Sequence, residues 1–184
     1  ELEIGGQLID RHYSEWNDIW NELSIEHSKK EGFKAMQGES GIRSDDINPG
    51  VNLIQIPLNF WFCRNPGLAL PLIALQYHEV KLKFTWGTSL ALGGVTPTVK
   101  VWCDYIYLDT DERRRFAQVS HEYLIEQIQR QDAEASTKTE LFFNHPVKEL
   151  IWTSSVTNTY STAKLVLNGH DRFQEQEEEY FQLR

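Results

Sequence analysis

Cysteine is scarce in this sequence, and long apolar runs are missing from it. Cys63 and Cys103 are the two cysteines among 184 residues. So few cysteines favour a reducing compartment over a disulfide-rich secreted fold, although they leave a single bond between the two open. The longest apolar run, residues 68–75, is interrupted by Pro71 and is far shorter than the ~20 residues of a membrane-spanning helix. The sequence therefore predicts no membrane insertion.

Positive charge is scarce too. The chain has 27 acidic and 18 basic residues, a formal net charge of -9. Affinity for nucleic acid rests on cationic contacts to phosphates, so this balance argues against direct nucleic-acid binding. The basic triplet Arg113 to Arg115 follows three acids that nearly cancel its field, namely Asp109, Asp111 and Glu112.

Sequence motifs of catalysis and metal binding are absent. There is no phosphate-binding Gly-x-x-x-x-Gly-Lys-Ser/Thr, no Gly-x-Ser-x-Gly and no Cys-x-x-Cys. The acids at 109–112 therefore predict an acidic turn after a strand, not a magnesium site. His78-Glu79 and His121-Glu122 lack the second histidine four residues on that zinc proteases need. The run 177–179 of glutamates predicts a solvated segment. We expect no catalytic residue, no cofactor and no metal site.

Hydrophobic alternation predicts that the chain is mostly β-structure. Leu2 and Ile4 alternate with glutamates, and Gly5-Gly6 can form a hairpin turn before a return strand that reaches Tyr13. A turn at residues 64–67 is predicted, with a positive φ at Gly67. The other predicted strands are 51–63, 80–86, 99–108, 141–143, 150–152 and 164–167, and the strand 99–108 has bulky residues on both faces, as expected between two layers.

One helix is predicted after the first hairpin. Trp16, Ile19, Trp20 and Leu23 share one helical face, with Ser14 as the N-cap. The helix is predicted to end at Lys29-Lys30 and Gly32. Residues 32–50 are predicted to form a long surface loop. The pattern at 121–129 fits a helix and a strand equally well.

A short repeat indicates two similar domains. Residues 2–7, Leu-Glu-Ile-Gly-Gly-Gln, resemble residues 165–170, Leu-Val-Leu-Asn-Gly-His. Both are alternating strands that end in a hairpin dipeptide. The predicted organisation is an N-terminal domain at 1–129, a polar linker at 130–140, and a second domain beginning at 141–184.

Several motifs resemble those of one family. Phe60-Trp61-Phe62 and the stretch 65–80, Asn-Pro-Gly through His-Glu-Val, resemble the signature segment of the major capsid proteins of nucleocytoplasmic large DNA viruses. Further similar stretches are 1–13, 104–126, 143–146 and 167–173. They follow the family order over nearly the whole chain, and the algal-virus and giant-virus members are the most similar. The only methionine is Met36, which favours a piece of a longer reading frame.

The resemblance implies an all-β, antiparallel jelly-roll fold. Residues 1–129 would be most of the first roll of a double jelly roll, without its first strands but with a short helix in an inserted loop. Residues 141–184 would begin the second roll. Trp16, Trp20 and Trp61 are candidates for the core or for a subunit interface.

The resemblance also implies a structural protein, not an enzyme. It predicts a homotrimer of pseudo-hexagonal outline that tiles an icosahedral virion capsid with neighbouring capsomers, over an inner viral membrane. Minor capsid proteins are further candidate partners, and assembly is expected in the host cytoplasm. The alternatives are a glycan-binding jelly-roll module and a minor capsid paralogue.

Overall fold

The chain folds as two compact units in a computed structural model. The units are Glu1–Ala133 and Glu134–Arg184, and the division between them falls inside the stretch 130–140. The structure describes residues 1–37, 54–86, 98–132, 138–153 and 160–182.

A three-stranded antiparallel sheet organises the first unit. Its strands are β1 (Leu2–Ile4), β2 (Gln7–Asp10) and β3 (Val80–Leu82), in the order β2-β1-β3. Leu2 lies opposite Asp10 on one side and Leu82 on the other. The alternation of apolar and acidic residues puts the Leu2 side chain, which is 0% exposed, into the core. The predicted strand at 2–4 is confirmed, whereas the predicted strands 7–13 and 80–86 are strands only at residues 7–10 and 80–82.

Helical segments follow the hairpin. They are α1 (Ser14–Ser24), a 3₁₀ turn (His27–Lys29), α2 (Lys30–Gln37), α3 (Trp61–Arg64), a 3₁₀ turn (Pro66–Leu68) and α4 (Thr110–Gln118). The helix predicted from the tryptophan spacing is confirmed as α1. Its N-cap is the extended residue Tyr13 and not Ser14. The Ser14 hydroxyl donates to Glu15 instead, at 3.2 Å, and the prediction was wrong by one residue.

The predicted end of this helix was also wrong. Gly32 lies inside α2, so residues 32–37 of the predicted loop are helical, and residues 38–50 lie outside the described part of the chain. A glycine inside a helix costs only about 1 kcal/mol relative to alanine. Lys30 at the start of α2 pairs with Glu22 of α1.

The strand predicted at 51–63 was wrong throughout its described part, because residues 54–60 form no strand; residues 51–53 lie outside the described part of the chain. Trp61 begins the helical turn α3, and Asn65 accepts a hydrogen bond from the backbone N–H of Gly67 at 2.8 Å. That bond caps a 3₁₀ turn, and Gly67 does not take the predicted positive φ. The alternation of residue types at 58–63 did not distinguish a strand from a helix here, because bulky residues occupy both faces of the pattern.

The strands predicted at 99–108, 141–143 and 150–152 are not formed in the structure, which has no regular element at those positions. The predicted acidic turn is the start of α4. Asp109 is its N-cap and accepts from the backbone N–H of Glu112 at 2.9 Å. Acidic side chains are favoured at this positive end of a helix dipole.

The second unit contains two small antiparallel sheets. Strand β4 (Thr162–Ala163) pairs with β7 (Gln176–Glu177), and β5 (Val166–Leu167) pairs with β6 (His170–Asp171); helix α5 (Glu178–Gln182) follows. The glutamate run at 177–179 thus spans the end of β7 and the start of α5. Aromatic rings cluster beside these elements, with Trp152 and Phe181 centroids 5.0 Å apart.

The two predicted hairpins have the same turn geometry. Gly5 and Gly6 have φ of 60° and 81°, and Asn168 and Gly169 have φ of 50° and 80°. Two consecutive positive φ angles define the turn that matches the twist of paired strands. A Cβ on Gly5 would lie 2.6 Å from Nδ1 of His78, so glycine is required there for space as well as for conformation.

Candidate assembly surface

The core of the first unit is small and aromatic. Leu2, Phe60 and Trp61 are its buried residues. The Phe60 ring stacks on Phe62 at 5.7 Å, and Trp61 meets Phe62 edge to face at 5.1 Å. Trp61 therefore belongs to the core. The sequence predicted either a core or an interface position for each of Trp16, Trp20 and Trp61, and the structure assigns Trp61 to the core. The partly buried residues packed around this core are Ile4, Ile9, Leu58, Phe62, Leu68, Leu70, Val80, Leu82 and Ile125.

The other two tryptophans lie on α1, and Trp20 connects this helix to Arg64. Trp16 and Trp20 are half-buried and stack on each other with centroids 5.6 Å apart. The Arg64 guanidinium lies 4.4 Å from the Trp20 ring centroid and also pairs with Glu126. A cation over an indole face is attracted by the ring quadrupole. Trp16 and Trp20 thus make contacts within the unit.

An open apolar concavity of about 570 Å³ lies beside the sheet. His78 and His121 both line it, together with Ile4, Leu70 and Phe116. The Nε2 atom of His121 lies 2.8 Å from the Phe116 carbonyl oxygen and bonds to it. No group of three or more potential metal ligands occurs among the residues that the structure describes. The histidines of the two His-Glu pairs that the sequence singled out thus line one cavity, and Glu79 and Glu122 are not among its lining residues.

Several large apolar side chains are exposed in the stretch 98–109, called here the apolar segment. Trp102 is 87% exposed, Tyr105 68% and Tyr107 93%, and Val101 and Ile106 are exposed as well. Contiguous apolar surface of this kind marks an interaction site in a soluble protein. The sequence signal was the presence of bulky residues on both faces of the predicted strand, but the exposure itself could not be derived from it.

The two cysteines are not bonded to each other. Cys63 and Cys103 are both free. Burial of the thiol raises the pKa of Cys63, and a raised pKa lowers the fraction of reactive thiolate. The bond that the sequence left open is therefore not formed in this structure.

No helix among the described residues combines the length and the apolar character that crossing a membrane would require.

Two family models match the chain in succession. Residues 1–109 match the model described as major capsid protein N-terminus, and residues 112–160 match the model described as large eukaryotic DNA virus major capsid protein. Together they cover both the first unit and the beginning of the second.

Individual relatives agree with these models. The chain is 53% identical to a major capsid protein of Pyramimonas orientalis virus, over all of this chain and 50% of that protein. It is 41% identical to the major capsid protein of Paramecium bursaria Chlorella virus 1, over 91% of this chain and 42% of that protein. The chain thus spans half or less of the length of these relatives.

A solved structure is similar as well. The crystal structure of PBCV-1 VP54, fitted into a cryo-EM reconstruction of the virophage Sputnik, matches with a TM-score of 0.74 and 34% identity. The match covers 98% of this chain and 57% of the solved one. The chain therefore belongs to the family of major capsid proteins of large eukaryotic DNA viruses.

Proposed function

We propose that the complete protein is a double jelly-roll subunit of a viral shell. In this proposal residues 1–129 form most of the first roll, residues 130–140 link the rolls, and residues 141–184 begin the second. Each roll would bury alternating side chains between two sheets. Two observations support a tandem arrangement, namely the two compact units and the same hairpin geometry in each.

The observation that carries the proposal is the apolar segment 98–109. A soluble subunit that kept Trp102 and Tyr107 almost fully exposed would be prone to non-specific association. A strand buried between two layers would need bulky side chains on both faces, as this segment has. We therefore propose that the remainder of the complete protein covers the segment.

Assembly is the second part of the proposal. Three complete subunits form a homotrimer of pseudo-hexagonal outline, and trimers tile an icosahedral shell with neighbouring capsomers and minor capsid proteins. An obligate interface of this kind is large and apolar. The protein would act in the virion capsid, over an inner membrane that it does not enter, after assembly in the host cytoplasm. The formal charge of -9 argues against contact with the packaged genome.

Negative-stain electron microscopy of the complete protein tests this assembly. We expect particles with threefold symmetry and a hexagonal outline, and the 184-residue chain serves as the control that should not form them. Monomeric particles that bind glycans saturably would contradict the proposal and support the glycan-binding alternative.

A further inference from the structure

The outer edge of the first sheet is covered by a segment that is not a strand. β2 is an edge strand in the order β2-β1-β3. A free edge presents unpaired backbone groups that recruit other chains. Residues 121–132 contact this edge at two points: the Gln127 side chain donates to the carbonyl of Ile9, and the backbone N–H of Ile128 donates to Asp10 Oδ1 at 3.0 Å. We call residues 121–132 the strap.

Asp10 is the centre of this attachment. Its side chain is 1% exposed, and its carboxylate accepts from the backbone N–H of Arg11 and from Nε2 of His12, both at 2.8 Å, in addition to Ile128. A carboxylate is stable in such a place only when its oxygens are hydrogen-bonded. Ile128 is 118 positions away in the chain, so this buried group joins two distant segments.

The histidine beside it is held in place by packing. The His12 side chain is 8% exposed and stacks on Phe60 at 4.3 Å between centroids. The arginines of the neighbouring elements pair with other carboxylates: Arg11 with Glu1, Arg64 with Glu126, and Arg130 with Asp132. His12 is thus the charged or titratable side chain that contacts Asp10.

The strap also makes contacts away from β2. In its middle, Ile125 packs against the core and Glu126 pairs with Arg64. Two further contacts lie towards its ends. The Tyr123 hydroxyl donates to the carbonyl of Ala69 at 3.4 Å, and the Arg130 guanidinium lies 4.6 Å from the Tyr13 ring centroid. Both are made by side chains at the two ends of the strap. Near its middle, the bonds of Gln127 and Ile128 hold it to β2.

We propose that the strap is an edge guard: it shields β2 from strand pairing with a second copy of the protein, and Asp10 is the positioning residue that latches it. The latch consists of bonds to and from side chains and not of a continuous backbone ladder. Release of the strap therefore breaks no strand pairing of the sheet, although it also breaks the Arg64–Glu126 pair and the packing of Ile125 on the core. Once it is released, the β2 edge is open to the same edge of another copy.

Hydrogen–deuterium exchange of the complete protein tests the latch. Asp10→Ala removes the acceptor of Ile128, and Asp111→Ala, at an exposed acid of α4, is the matched control. Hydrogen bonds to charged groups contribute enough that we expect protection of the strap to fall about tenfold or more in Asp10→Ala, with no change in the control. Light scattering of the same samples should show assemblies larger than those of the wild type.

A second variant keeps the test decisive if Asp10→Ala disturbs the whole unit. Gln127→Ala removes the other bond to β2 from an exposed side chain, and we expect about threefold lower protection confined to the strap. The proposal is overturned if strap protection is unchanged in Gln127→Ala and Asp10→Ala lowers protection of β1 and β3 as much as that of the strap. Unchanged strap protection in both variants also overturns it.

Discussion

Replacing Trp61 by alanine is expected to lower the free energy of unfolding of the 184-residue chain by about 3–5 kcal/mol. The side chain is 4% exposed and belongs to a core whose other buried hydrophobic members, among the residues that the structure describes, are Leu2 and Phe60. Its removal would leave a cavity that this small core has few side chains to fill. Urea unfolding followed by circular dichroism measures the change.

Trp102→Ala in the same chain is the matched control. It is the same substitution at a side chain that is 87% exposed, and surface changes usually alter stability by less than about 0.5 kcal/mol. Equal losses at the two positions would contradict the assignment of Trp61 to the core and of Trp102 to the surface.

The same Trp102→Ala substitution is expected to cost about 3 kcal/mol or more in the complete protein. The proposed fold covers the apolar segment with the remainder of the subunit, so an indole that is exposed in the 184-residue chain becomes a core side chain. The measurement is urea unfolding of the complete protein with and without the substitution. Lys100→Ala, at an exposed charge of the same segment, should remain within about 0.5 kcal/mol.

A small loss from Trp102→Ala in the complete protein would mean that the apolar segment is not part of a roll. A large loss in both the chain and the complete protein would mean that the segment is already buried in the chain. The proposal predicts a small loss of stability from Trp102→Ala in the 184-residue chain and a large loss in the complete protein.

The features that the sequence predicted well are those that local chemistry determines. Two residues that tolerate positive φ, flanked by alternating apolar residues, were enough to locate the turns at Gly5-Gly6 and Asn168-Gly169. The spacing of Trp16 and Trp20 was enough for α1. The backbone preference and the side-chain pattern agree at these positions, so no distant contact is needed to decide the structure.

The features that were missed depend on distant partners or on a misjudged local signal. The strand predicted at 99–108 requires pairing partners that no local pattern specifies. The start of α4 had a signal in the spacing of Asp109 and Glu112, which is typical of a helix N-terminus, but we interpreted it as a turn. The bond between Asp10 and the backbone N–H of Ile128 joins residues 118 positions apart, and no pattern in the residues around Asp10 predicts it.

The contrast between features that local sequence determines and features that distant contacts determine also applies to the assembly surface. The family resemblance depended on motifs such as Phe60-Trp61-Phe62, and the matches over residues 1–109 and 112–160 confirmed it. The sequence left Trp61 between core and interface, since both environments favour an indole. The structure was needed to distinguish buried Trp61 from exposed Trp102.

The solution mass of the complete protein, measured by light scattering over a range of concentrations, tests the proposed shell subunit most directly. We expect a mass of three subunits that does not fall on dilution, because obligate interfaces are large and apolar. A mass of one subunit at every concentration would contradict the trimeric capsomer.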